Sequence, residues 1–420
     1  MDYRGDRSFP APWLDDLGYP QELRSLADSL LDLPGPALAG DSPTGGGTLP
    51  VDLTDNWAQA PLRTTSSRSP DRVSRILGYL LGGAIGDALG APIEFSNLRD
   101  IRKAHGPAGV TGYVPGHWGP GAFTDDTQMT LFTAEGLIRA DNRRRESGLQ
   151  DVPLVLWGAY RRWLETQETR ARPKADDSSI HRGWLVDESA LRAQRAPGTT
   201  CLAALRSGTP GSIEAPPNNS KGCGGVMRVA PIGLVADDPF DLGCAAAALT
   251  RGHPSGYLAA GMFAAVVAGV TQGEPPAIAI DRSLETLRGR PGHEETVKAV
   301  QQALALAASG RGPSPELVET LGGGWIAEEA LAITLYCVIV APDFRQGVLL
   351  AVNHSGDSDS TGSMVGNLLG ATLGLAALPG EWLRELEAWP VIERVASDLA
   401  AQFVGASATF SPDMDRYPPS

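Results

Sequence analysis

Cysteine is scarce in these 420 residues: Cys201, Cys223, Cys244 and Cys337 are the whole complement. No two stand in a CxxC pair, which argues against a zinc knuckle or a redox motif. So few also exclude a disulfide framework and leave reduced thiols as the expectation. Basic charge is short as well. Thirty-five Lys and Arg face 49 Asp and Glu, for a net charge of -14. A surface of that sign does not suit duplex DNA or RNA, whose binding rests on neutralised phosphates, so nucleic acid is not an expected partner. A single small phosphorylated ligand stays compatible. Long apolar runs are missing too. The longest, Leu258 to Val270, falls short of the roughly 20 residues that span a bilayer, and no membrane is expected. The first 30 residues carry Asp2, Arg4, Asp6, Arg7, Asp15, Asp16, Glu22 and Arg24 with no apolar core, so no secretory leader is expected and the location is read as cytoplasmic. There is no GxSxG elbow, no Walker A loop, no GxGxxG after a strand and no HExxH. Serine hydrolase, P-loop, Rossmann and zincin readings lose their main support.

Hydrophobic residues make up 42% of the chain, enough for a sizeable core and too many for a wholly disordered protein. Residues 1–70 stand apart. Pro34, Pro36, Pro43, Gly45, Gly46, Gly47 and Pro50 and the polar run Thr64 to Ser69 read as an irregular or disordered extension. One short helix is expected there at Gln21–Leu31, with Leu23, Leu26, Leu30 and Leu31 on one face. Order is expected from Ser69-Pro70-Asp71, with Ser69 as cap and Pro70 in the first turn. Val73, Ile76, Leu77, Leu80, Leu81, Ala84, Ile85 and Ala88 then follow helical spacing. Gly78, Gly82, Gly83 and Gly86 in the same stretch cost about 1 kcal/mol each relative to Ala, which predicts a close helix–helix approach as compensation. Helical patterns recur at Thr124–Ala140, Pro153–Thr166, Asp241–Thr250, Ser255–Thr271, Glu294–Ala308, Ile326–Val340, Phe344–Asn353, Ser360–Ala377 and Glu381–Phe403. β-Branched alternation is rare. The reading is all-α, with one domain over residues 71–405 and a tail at 406–420.

Two oxygen-rich clusters open helices: Phe123-Thr124-Asp125-Asp126-Thr127 and Ser355-Gly356-Asp357-Ser358-Asp359-Ser360-Thr361-Gly362. Two readings of them stand. Each can be an N-cap with acids in the first turn, worth about 1 kcal/mol or less. Together they can bind hard cations, because four carboxylates and the hydroxyls of Thr124 and Ser360 are the donors that Mg²⁺ or Mn²⁺ prefers. A third cluster, Asn218 to Arg228, places Gly222, Gly224 and Gly225 around Cys223. Its backbone could form an anion-binding nest or an ordinary turn, and Lys221 and Arg228 could add charge or stay solvated.

Taken in order, Gly83-Ala84-Ile85-Gly86-Asp87-Ala88-Leu89-Gly90-Ala91-Pro92-Ile93-Glu94-Phe95, Phe123 to Thr127, Lys221-Gly222-Cys223-Gly224 with Met227-Arg228, His253-Pro254 and Gly356 to Ser360 resemble the ADP-ribosylglycohydrolase family over roughly residues 71–400. The resemblance implies an orthogonal multi-helix bundle around a dinuclear site, with two Mg²⁺, or Mn²⁺, as cofactors. It implies hydrolysis of the glycosidic bond between ADP-ribose and an acceptor, with arginine of an ADP-ribosylated protein as the expected substrate. Residue by residue, Thr124, Asp125, Asp126, Asp357, Asp359 and Ser360 match the metal ligands. Glu94, Asp126 and Asp359 are the acids expected to move protons. Gly222, Cys223, Gly224 and Gly225 match the loop that cradles ADP-ribose, and His253 matches a histidine near the nucleotide, with a helix-start role as its alternative. Asp87 is expected to pack or support ligands, and Trp325 to sit in the core, with stacking on a base or acceptor as its alternative. The chain departs from relatives at Arg251-Gly252, where a second histidine is common, and Asp176 and Asp177 are the candidates for a further acid. Other readings are an immunity or binding protein whose extension blocks an ADP-ribosyltransferase, a structural descendant that has lost catalysis, and a two-metal phosphoesterase.

Overall fold

The computed structural model describes residues 69–149, 151–168, 183–235, 237–404 and 413–419. The expected helix at Gln21–Leu31, the extension before residue 69, and Asp176 and Asp177 lie outside the described residues. In chain order the helices are α1 (Arg72–Gly90), α2 (Leu98–His105), α3 (Asp125–Ser147), α4 (Val152–Glu168), α5 (Thr199–Arg206), α6 (Pro239–Ala248), α7 (Pro254–Thr271), α8 (Pro276–Arg288), α9 (Glu294–Ala308), α10 (Pro315–Glu319), α11 (Ala327–Val340), α12 (Phe344–Val352), α13 (Ser358–Leu373), α14 (Gly380–Glu385) and α15 (Trp389–Phe403). A single isolated bridge, Gly222 to Ile326, is the only β pairing among the described residues. The all-α reading holds.

Helix α1 starts on a different cap from the one expected. Asp71, not Ser69, is the N-cap, and its carboxylate accepts from Ser74 N at 2.7 Å. A carboxylate there meets an orphan amide and the positive end of the helix dipole together, so Pro70 stays outside the helix. From Arg75 to Gly90 every residue is buried, because α1 is walled in by other helices.

Helix α13 lies antiparallel against α1, nearly backbone to backbone. A Cβ at Gly78 would overlap the carbonyl of Gly370. One at Gly82 would lie 2.5 Å from Gly366 O, and those at Gly86 and Gly90 would overlap Gly362 and Ser358. The reverse holds from Gly362, Gly366 and Gly370 toward α1. Each glycine costs helix propensity; the return is dense dispersion contact between the two backbones. Arg75 locks the far end. Its guanidinium donates to Val270 O (3.1 Å), Ala371 O (2.9 Å) and Thr372 O (2.8 Å), meeting the carbonyl-rich C-termini of α7 and α13.

Helix α7 has 18 residues of mean hydropathy 1.4, but 89% of it is buried inside the fold. It is the one helix among the described residues long and apolar enough to cross a membrane, and it packs here as a core helix. The four cysteines are free, and all but Cys223 are buried.

Boundaries differ from expectation in several places, and α3, expected over Thr124–Ala140, runs on to Ser147. The expected helix Glu381–Phe403 is broken into α14 and α15 by Ala388 at φ +48°, and Pro390 falls in the first turn of α15, the helical position that tolerates proline. The expected Ser360–Ala377 begins two residues earlier and stops at Leu373, where Gly374 turns at φ +77°. The helices α2, α5, α8 and α10 were not anticipated; α2, α5 and α10 offer too few turns for a clear period. The C-terminal segment is anchored: Tyr417 is buried, donates to Asp398 Oδ2 at 2.9 Å, and its carbonyl accepts from Asn142 Nδ2 at 2.8 Å.

The glycine contact gives a direct test. Gly86→Ala or Gly362→Ala should lower unfolding stability by about 2–3 kcal/mol through overpacking. Gly158→Ala in α4, with ordinary room for a methyl, should be neutral or stabilise by up to about 1 kcal/mol through propensity. Chemical denaturation of the three variants checks the ranking; equal effects would show that the α1–α13 approach is not the constraint.

Candidate active site

The last turn of α1 holds Asp87, fully buried, and its two oxygens fasten the start of α3. Oδ1 accepts from Thr124 N and Thr124 Oγ1, both at 2.9 Å. Oδ2 accepts from Thr127 N at 3.0 Å and Thr127 Oγ1 at 2.6 Å. Asp87 is therefore a supporting carboxylate, as expected. Thr124 caps α3, its hydroxyl accepting from Asp126 N at 3.3 Å, which leaves that oxygen one further lone pair.

Asp125 and Asp126 follow in the first turn. Asp125 N donates to Arg195 O at 2.9 Å, and its Oδ2 accepts from Gly198 N at 3.4 Å. Arg195 is itself fixed by Glu387 at 2.9 Å through both guanidinium nitrogens and by Phe123 O at 3.2 Å. Asp126 Oδ1 is completely buried and has no hydrogen-bond partner.

The α1–α13 contact delivers the second cluster to the same place, since Gly90 meets Ser358. Asp357 N donates to Gly323 O at 2.8 Å, and Asp357 Oδ2 accepts from the Cys223 thiol at 2.8 Å. Asp359 Oδ1 accepts from Ser360 N at 3.0 Å, and Ser360 Oγ lies 3.7 Å from Cys223 Sγ. Glu94, on the turn after α1, completes the group: carboxylate oxygens of Glu94, Asp357 and Asp359 lie within 4.8 Å of one another. Two clusters more than 200 positions apart in sequence meet in space.

Six acids in a dry centre repel each other. Burial, then the charges of Asp359 and Asp357, push Glu94 up to about 10. Burial and Asp359 raise Asp87 to about 7, against its bonds from the two threonines. Burial, then Asp359, also drives Asp126 and Asp357 well above the usual carboxylate range. Asp125 rises through burial, then Cys201 and Asp359, and Asp359 rises through burial. No Lys, Arg or His side chain bonds to any of the six among the described residues. Oxygen donors, uncompensated negative charge and the orphaned Asp126 Oδ1 together fit a hard divalent cation.

The Gly222–Gly225 turn borders this centre. Cys223 N donates to Trp325 O at 3.1 Å, and the Cys223 thiol joins the turn to Asp357. A Cβ at Gly224 would run into the Arg251 guanidinium and lie 3.0 Å from Cys201 Sγ, so this glycine is demanded by packing. Arg251 props the turn by donating to Gly222 O at 3.1 Å. Lys221 is paired with Glu295 (2.8 Å) and Glu328 (2.5 Å). Arg228 is fully buried over the Tyr160 ring and bonded to Thr250 Oγ1 at 2.9 Å. His253 caps α7, its Nδ1 accepting from Ser255 N at 3.2 Å, which is the helix-start alternative. Trp325 is not in the core: it is 43% exposed and stacks on Phe95. Arg195, Gly198 and the carbonyl of Gly323 are supports that carried no sequence signal, because each acts through its backbone or from a loop.

A family model described as ADP-ribosylglycohydrolase matches residues 68–409. The chain is 28% identical over 327 residues to ADP-ribosyl-[dinitrogen reductase] glycohydrolase of Rhodospirillum rubrum, covering 76% of this chain and 92% of that protein. It is 22% identical over 352 residues to ADP-ribosylarginine hydrolase Tri1 of Pseudomonas putida, covering 82% of each. Among solved structures it is similar to an ADP-ribosylglycohydrolase-related protein complex, with TM-score 0.58 and 28% identity over 80% of this chain and 99% of that one.

The raised carboxyls make stability depend on pH and metal. Unfolded, these groups release protons near pH 4; folded and without metal, they hold them to about 7 at Asp87 and about 10 at Glu94. The folded state thus binds more protons over that interval, and stability falls as pH rises through it. The melting temperature in EDTA should drop between about pH 5 and about pH 8, and saturating Mg²⁺ or Mn²⁺ should raise it more at the higher pH, because cation and protons compete for the same oxygens. Calorimetry at both pH values checks this; an equal metal-induced rise at both would contradict it.

Proposed function

The chain belongs to the ADP-ribosylglycohydrolase family, and on that premise we propose that it releases ADP-ribose from arginine side chains of modified proteins, with two divalent cations, Mg²⁺ or Mn²⁺, at the acid centre. The observation that carries this is the convergence of Glu94, Asp357 and Asp359 with the Thr124–Asp126 helix start around the orphaned Asp126 oxygen. The arginine assignment draws on the relative described as an ADP-ribosylarginine hydrolase. Domain limits of 71–405 belong to the same proposal.

Thr124, Asp125, Asp126, Asp357, Asp359 and Ser360 would hold the cations. When bound, the cations would orient the ribose hydroxyls and make a water more acidic. The rest falls to the chain. Breaking a ribosyl C–N bond passes through an oxocarbenium-like state. The bonding pair leaves with the acceptor nitrogen, which takes a proton. Glu94 stands at the rim of the centre, joined to an exposed residue and with a carboxylate oxygen within 4.8 Å of those of Asp357 and Asp359; it is the donor to the departing nitrogen. Asp126, with its unbonded oxygen, accepts the proton of the attacking water once bound cations hold its carboxyl ionised, and Asp359 lies beside Glu94. Asp87 keeps the α3 start in register, and Cys223 and Arg251 shape the turn on which the ADP-ribose rests.

Release of ADP-ribose from arginine-, serine- and nucleic-acid-base-linked substrates, with Mg²⁺, Mn²⁺ or EDTA, tests the reading. Arginine-linked substrate should be cleaved, and EDTA should stop it. Glu94→Gln should lower kcat by about 100-fold or more, while Asp126→Asn and Asp357→Asn should also lose the metal-induced rise in melting temperature. Full activity of Asp126→Asn in EDTA would end the metal-dependent reading.

A further inference from the structure

Two large aromatic side chains stand in the open beside the acid centre. Phe95 is 80% exposed and Trp325 is 43% exposed. Their rings stack with centroids 5.6 Å apart and planes 19° from parallel. Apolar rings of this size are ordinarily withdrawn from water, and the backbone around both is fixed. Phe95 ends a turn held by Ile93 N donating to Gly90 O at 2.9 Å and Ser96 N donating to Ile93 O at 2.8 Å, with Ile93 buried. Trp325 accepts from Cys223 N at 3.1 Å, and its ring is backed by Gly323, where a Cβ would lie 2.9 Å from the indole. Gly323 N in turn donates to Glu329 Oε2 at 3.0 Å.

Both rings are tied to the acids at one remove. Phe95 directly follows Glu94, and Gly323, two residues before Trp325, accepts from Asp357 N. The pair therefore bridges the turn that carries Glu94 and the loop that holds Asp357. A glycosidic bond at the acid centre has a nucleotide on one side and a protein on the other. The protein cannot enter the fold, so the outermost groups of the site meet the acceptor side chain. Exposed aromatic faces favour a planar cation, and a guanidinium stacks on such faces where a serine hydroxyl does not.

We infer that Phe95 and Trp325 form the acceptor platform of this enzyme, on which the guanidinium of an ADP-ribosylated arginine stacks while its ribosyl bond faces Glu94. The rings already stack on each other, so the guanidinium takes an outer face rather than the space between them. This rests on the hydrolase reading above. It assigns these two residues a part in acceptor choice, separate from the nucleotide contacts.

The test compares the unmodified protein with Phe95→Ala, Trp325→Ala and Trp325→Phe on arginine-linked and serine-linked ADP-ribose. Binding of free ADP-ribose is measured by calorimetry, and folding is followed by melting temperature. The alanine variants should raise KM for the arginine-linked substrate by about 5- to 30-fold, leave kcat near its starting value and leave ADP-ribose affinity unchanged. Trp325→Phe, which keeps an aromatic face, should recover most of the loss and carries the test should an alanine variant melt early. An unchanged KM overturns the platform, as does a parallel loss of ADP-ribose affinity, which would put the rings on the nucleotide. Cleavage of serine-linked but not arginine-linked substrate overturns the platform and leaves the hydrolase standing. Cleavage of neither overturns both.

Discussion

The near-contact of the α1 and α13 backbones is the constraint from which the rest of the structure follows. Four positions on one face of α1, Gly78, Gly82, Gly86 and Gly90, meet Gly370, Gly366, Gly362 and Ser358 in reverse order. Spacing of four residues repeats along both helices, as ridge-into-groove packing requires. Without side chains between them, the axes close to a distance at which the end of α1 and the start of α13 share one small volume. Asp87 and Glu94 enter that volume from one side, and Asp357 and Asp359 from the other. A larger residue anywhere on the stripe would separate the acids as well as loosen the core.

The cost of assembling so much negative charge is moderated by where the acids sit. Asp125 and Asp126 occupy the first turn of α3, and Asp359 that of α13, where amide N–H groups and the helix dipole favour anions. Asp87 lies at the wrong end of its helix for that help. It is held instead by the bonds from Thr124 and Thr127. Helix starts thus converge on the centre and positive side chains are kept off it: Arg195, Arg228, Arg251 and Lys221 are all engaged elsewhere. Such an arrangement strongly favours an external cation over an internal ion pair, which would fill the ligand oxygens and close the site.

Much of this was legible in the sequence. Helical spacing marked most of the long helices, and the glycines within α1 announced a close partner before the partner was known. The acid pairs at helix starts carried both their structural and their chemical reading in the same residues. Convergence of the pairs was not legible, because it depends on α13 returning against α1 over some 270 intervening positions. The break between α14 and α15 was missed because apolar spacing continues across it while the turn is set by Ala388 in a left-handed conformation. The core reading of Trp325 failed for a different reason: composition favours a buried tryptophan, and only the fold shows it beside Phe95. Supports such as Arg195 and Gly323 act through backbone atoms, which every residue type possesses, so no pattern of side chains could reveal them.

The glycine stripe also bears on how this chain can change over generations. A helix advances about 100° and 1.5 Å per residue. One residue inserted or deleted between Gly78 and Gly86 would swing Asp87 a quarter-turn or more from Thr124 and throw the remaining rungs out of step with α13. The first helix therefore acts as a ruler that tolerates no indel. Changes of length are left to segments such as the loop between α8 and α9, where no rung has to be matched. The count of nine residues from Gly78 to Asp87 is thereby as much a part of the centre as the carboxylates themselves.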